Sequence, residues 1–118
     1  MKFSKDDHKK KAVETEEFAS TLPATDSGVE WAITAQFYAA LHYVSAYFAI
    51  TNQFHASHGT RLRDIKKDPI ISSIYDDYQD LYNISRDSRY ECMNLRPGHL
   101  VFARERLEAV KRVICPYL

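Results

Sequence analysis

The twenty residues from Trp31 to Ile50, WAITAQFYAALHYVSAYFAI, contain no Asp, Glu, Lys or Arg. Length alone would let such a segment cross a bilayer. Its content argues against that. Only six of the twenty are Leu, Ile, Val or Phe, six are Ala, and Thr34, Gln36, His42 and Ser45 are polar. Polar groups inside a span are costly. No Lys or Arg stands in either close flank to fix an orientation. A helix that is apolar nearly all round is otherwise buried in its own domain or against a partner. The segment is therefore expected to be the central helix of a folded domain, with no membrane involved.

Working outward, the rest of the chain supplies helices that need something to pack on. Sixteen Lys and Arg balance sixteen Asp and Glu over 118 residues. There is no global attraction to nucleic acid or acidic lipid, so any anion site must be local. The length fits one domain covering residues 1–118. Two cysteines, Cys92 and Cys115, give neither a disulfide framework nor metal-ligand spacing. A reducing, cytoplasmic setting is the expectation. The N-terminal MKFSKDDHKKKAVETEE has no apolar core of a signal peptide.

Alternation of polar and apolar residues is scarce, and helical spacing dominates. Five helices are predicted. The first covers about 5–22, with residues 1–10 expected to fray. The second covers about 28–53, capped by Asp26 or Ser27. A short third helix, RLRDIKK, starts from Thr60. The fourth runs from Pro69 to Tyr90, with Asp68 as its cap. Its stripe is Ile71, Ile74, Tyr78, Leu81 and Ser85, widened by Tyr75 and Tyr82, with Asp76, Asp77, Gln79 and Asp80 facing water. The last helix runs from Pro97 to Ile114 on Leu100, Ala103, Leu107, Val110 and Ile114. Short connections favour antiparallel neighbours, so the fold class is all-α, an antiparallel up-and-down bundle of about five helices. Small residues on the second helix permit close helix approach, and one side of it can face a second subunit.

Three clusters hold the residue types that do chemistry. In FYAALHY, Tyr38 and His42 lie one turn apart. His42 is either a satisfied core histidine or a pKa-shifted acid or base. In HASHGTRLR, His58 and Arg61 stand near a helix start, where free amides and a bidentate guanidinium suit a phosphate. In SRDSRY, Arg89 shares the buried side with Tyr82 and Ser85, so it needs a carboxylate or an anion. A metal site from His42, His55 and His58 has weak support, and neither a metal nor another cofactor is expected. Gly-rich phosphate loops and serine-nucleophile motifs are missing.

Taken in order, VEWAITAQFYAALHYVSAYFA, HASHGTR and IYDDYQDLYNISRDSRY resemble small prokaryotic HEPN-like proteins, the helical domains named for higher eukaryotes and prokaryotes nucleotide-binding. The resemblance covers about residues 29–90. It implies an antiparallel helical bundle, commonly a homodimer. It also implies a role in a toxin–antitoxin or defence system, often beside a nucleotidyltransferase-like antitoxin. Active members are similar to metal-independent ribonucleases acting on RNA. Their signature of Arg, four to six residues, then His is absent. Counting back from His99 meets Cys92, Met93 and Asn94. A different set is expected to serve instead: His58, Arg61, His42 and Arg89 as catalytic groups, with Tyr38, Tyr82 and Tyr90 contacting substrate. The alternative is a non-catalytic dimerisation or interaction module in which these side chains knit the bundle.

Overall fold

A computed structural model describes residues 2–90 and 94–118; the side chain of Tyr90 lies outside the described residues, as does Cys92. Five α-helices follow one another: α1 Lys5–Ser20, α2 Asp26–Ala49, α3 His58–Lys67, α4 Tyr75–Tyr90 and α5 Pro97–Ile114. A 3-10 turn, Ser72–Ile74, leads into α4, and another, Cys115–Tyr117, follows α5. The fold is an all-α helical bundle. At 1.5 Å per residue, α2 is about 36 Å long. The longest dimension of the molecule is 40 Å, so α2 runs its full length. No helix among the described residues is long and apolar enough to cross a membrane.

α2 is enclosed because its composition leaves few faces for water. Ala32, Ile33, Phe37, Ala39, Ala40, Val44, Ala46 and Phe48 are all buried. Helices α1, α4 and α5 pack around it. Contacts with α4 pair Glu30 with Ser88 and Phe37 with Tyr82, in opposite chain order, so these neighbours are antiparallel. The fourth-helix stripe is buried as predicted, from Ile71 through Ile74, Tyr78 and Leu81 to Ser85. Buried residues of α5 match the predicted stripe at Ala103, Leu107, Val110 and Ile114. Asp77 and Asp80 differ from expectation. They turn toward α5 and pair with Arg106 at 3.7 and 3.3 Å.

Local chemistry sets the helix ends. α1 does not fray at its start. Ser4 caps it reciprocally with Asp7, so the charged run from Lys5 is helical. α1 buries only Ala12 and Ala19. Polar contacts do the rest. Glu16 accepts a hydrogen bond from Tyr43 at 2.7 Å and meets Lys111 at 3.0 Å. Lys5 donates to the Leu118 carbonyl at 3.0 Å. Thr25, rather than Asp26 or Ser27, caps α2. At the other end of α2, Gln53 N–H reaches the Phe48 carbonyl and Asn52 N–H reaches that of Ala49. Asn52 sits at φ 56°, which gives the helix a left-handed terminus. α3 begins three residues early, at His58 rather than Arg61, because Ser57 rather than Thr60 supplies the cap. Asp68 caps the turn at Ile70 and Ile71 through Oδ1, and α4 itself waits until Tyr75.

Gly28 belongs to the cap of α2. A Cβ there would stand 1.9 Å from the Pro23 carbonyl oxygen. Gly→Ala in a helix is ordinarily stabilising by about 1 kcal/mol. Gly28→Ala is expected to reverse that sign, costing about 1–3 kcal/mol as overpacking does. Denaturant unfolding of the variant checks it, and a gain in stability would contradict the close Pro23 approach.

Candidate anion site at the start of α3

The cap at Ser57 makes His58 the first residue of α3 and turns Arg61 inward one turn later. Arg61 is only 7% exposed. Its Nη2 donates to the His55 carbonyl at 3.3 Å, and its Nε has no hydrogen-bond partner. The nearby carboxylate, Asp64, is engaged by His55 at 2.6 Å and by Arg63 at 3.1 Å. Among the described residues Arg61 forms no ion pair. A buried guanidinium without a carboxylate is expensive.

Arg61 lines a cavity of about 220 Å³. Its other lining residues are Lys2 and Phe3 before α1, His8 of α1, Leu41 and Ser45 of α2, and Gln53, Phe54 and His55 from the loop before α3. Lys2 lies over the Phe54 ring at 5.0 Å. His8 also borders a second cavity of about 440 Å³ that includes His42, Lys10 and Lys11. His8 and His42 face each other with their Nδ1 atoms 3.1 Å apart. Burial, then the charges of His8, Lys11 and Arg61, lower the His42 pKa to about 4. Burial and Arg61 also lower that of His8, against the opposing pull of Asp7. Both rings are therefore neutral at pH 7, and one donates to the other.

His58 has a different setting. Its ring stacks on Tyr82 with centroids 3.5 Å apart and lies parallel to Tyr78 at 5.8 Å. Phe37 meets it edge-on at 6.4 Å. Both ring nitrogens are buried without a hydrogen-bond partner. Burial, then Arg61, lowers its pKa, while neighbouring Gln79 acts the other way without reaching hydrogen-bond geometry with the ring. Such a ring packs as an aromatic side chain and is not positioned to exchange protons with a substrate.

Arg89 is elsewhere again. It donates to the Tyr38 hydroxyl at 3.2 Å and lies over the Phe37 and Tyr38 rings at 5.8 and 5.5 Å. It borders a separate cavity with Glu30, Trp31, Thr34 and Ser88. The predicted set is thus divided into three. Arg61 lines the first cavity with His42 close behind it, His58 and Tyr82 stack inside the bundle, and Arg89 and Tyr38 form a pair at the far end of α4. Tyr38 and His42, one turn apart, reach opposite neighbours: Tyr38 goes to α4 and His42 to α1. No group of three or more His, Cys, Asp or Glu among the described residues has the arrangement to hold a metal.

Two contributors escaped the sequence reading. His8 lay in the run expected to fray. Its signal was the spacing to Ala12 and Ala19, which marks the one face of α1 able to touch α2. His55 was weighed as a loop histidine and a weak metal-ligand candidate, but its hold on Asp64 leaves Arg61 without that acid and its carbonyl takes a guanidinium N–H instead. Comparison with family models, curated proteins and solved structures finds no match.

The His42 shift fixes a pH response. The unfolded chain takes up a proton at the ordinary histidine value of 6.5, the folded site only near 4. Stability present above that window is therefore lost as pH falls through it. In an NMR titration His42 is expected to stay neutral at about pH 5.5, where an ordinary histidine is mostly charged. An unshifted midpoint would contradict the His8–His42 contact.

Proposed function

We propose that this chain is a HEPN-like domain that associates with nucleotides or RNA by holding a phosphate group in the Arg61 cavity. One observation carries the reading: a buried guanidinium with a free Nε lines a cavity and forms no ion pair among the described residues. Buried cations are normally paired, and a bound oxyanion would complete this one with charge-assisted hydrogen bonds. Lys2, which also lines the cavity, adds a positive charge that suits the same ligand. The wider setting implied by the resemblance belongs to this proposal: a cytoplasmic homodimer in a toxin–antitoxin or defence system, beside a nucleotidyltransferase-like antitoxin.

RNA cleavage is the second reading, and the neutral imidazole pair beside Arg61 favours it. His42 or His8 would take the proton of a ribose 2′-hydroxyl, and Arg61 would stabilise the charged phosphorane. His58 and Arg89 have no part in that chemistry, for the geometric reasons given above. Incubation of RNA with the protein in EDTA, followed by analysis for cyclic-phosphate ends, decides whether this reading holds.

Replacing Arg61 separates a ligand-binding role from a structural one. Arg61→Met removes a buried unpaired charge and keeps most of the volume. The variant is expected to be more stable than the parent, by about 1 kcal/mol or more. It is also expected to bind inorganic phosphate, AMP and short RNA roughly 10- to 100-fold more weakly, the worth of a hydrogen bond to a charged group. Thermal unfolding and calorimetric titration check the two arms. A destabilised variant with unchanged binding would make Arg61 a structural brace and remove the proposal.

A further inference from the structure

The His8–His42 pair touches the anion cavity through His8, and its protonation chemistry is unusually constrained. The two rings lie 5.4 Å apart, tilted by 32°, and share one Nδ1–Nδ1 hydrogen bond. Whichever ring donates its Nδ1–H has a free Nε2. One proton can add there, and the resulting imidazolium still donates to its neutral neighbour. A second proton would have to break the bond, since both Nδ1 atoms would then be donors. The pair is thus built to accept a single proton without rearrangement.

Resting on the phosphate-site reading, we propose that an oxyanion entering the Arg61 cavity draws one proton onto the His8–His42 pair. Binding of the anion and uptake of the proton then form a single linked event. The charges facing the pair explain why the proton is absent beforehand. Arg61 on α3 opposes protonation of both rings, and Lys11 opposes that of His42. Asp7 favours it at His8. Lys10 and Glu14 border the second cavity with opposite signs, while Lys2 and His55 border the first. A dianion placed against Arg61 and His8 offsets the Arg61 charge that both rings feel, which raises the proton affinity of the pair. By linkage, the proton raises the affinity for the anion equally.

Sulfate is the probe, because it remains a dianion throughout the histidine range and adds no titration of its own. Calorimetry of the wild-type chain in buffers of different ionisation heat is expected to show uptake of close to one proton per sulfate. Between about pH 8 and about pH 5.5 the sulfate Kd is expected to tighten by up to about tenfold per pH unit, the limit for one linked proton. Replacing both His8 and His42 by Asn is expected to flatten that slope, and Arg61→Gln to remove binding. Sulfate affinity flat across this range, with no proton uptake, overturns the coupling and leaves the phosphate-site reading standing. A slope that survives in the His8→Asn/His42→Asn double variant also overturns it, by assigning the proton to another group such as His55. Absence of sulfate binding at every pH removes the coupling together with the reading on which it rests.

Discussion

Helix α2 has few faces that water can accept, and α1, α4 and α5 find their places by covering part of it. α4 and α5 do so with ordinary apolar stripes, Tyr78 and Leu81 from one, Leu107 and Val110 from the other. α1 does so differently. It buries two alanines and leaves Val13 and Phe18 exposed. Its hold on the bundle comes through Glu16, Lys5 and His8. Exposed ion pairs and hydrogen bonds contribute little each, so α1 is held with little apolar burial of its own. The same helix forms a wall of both cavities that border His8. The helix that walls both cavities is therefore docked largely through charged and polar groups.

The second constraint is electrostatic. A chain with balanced charge would be expected to pair a deeply buried cation such as Arg61, and acids are available. Asp64 is three residues from Arg61 yet is held by His55 and Arg63. The loop carbonyl of His55 takes one guanidinium N–H, Tyr78 lies close to the group, and Nε has no hydrogen-bond partner. The neutral histidines follow first from burial, to which the same charge adds: with little water and Arg61 nearby, a protonated imidazole is the less favoured form.

Fold class and helix identity were legible because long periodic segments specify their own burial. The Ile71–Ser85 stripe and the Leu100–Ile114 stripe required no knowledge of the partner helix. Helix starts were less legible. Ser57 and Thr60, or Thr25, Asp26 and Ser27, are all competent caps, and the choice among them depends on tertiary contacts such as the Pro23 carbonyl approaching Gly28. The site was legible by residue type and only partly by place. Arg61 stood out for its position near a helix start. Its separation from Arg89 and His58 did not, because sequence spacing says little about which neighbour a side chain reaches across helices. His8 was hidden by its charged surroundings, which suggest solvent until the Ser4–Asp7 cap fixes the first turn.

The stacking of His58 between α3 and α4 has a use of its own. An imidazole lying flat on a tyrosine ring, with a second parallel tyrosine beyond it, has its carbon-bound protons inside two aromatic shielding cones. Those protons should resonate well upfield of the other histidines, and they would return to ordinary positions whenever α3 lifts from α4. A single side chain thereby supplies an internal gauge of whether the short helix bearing Arg61 is seated.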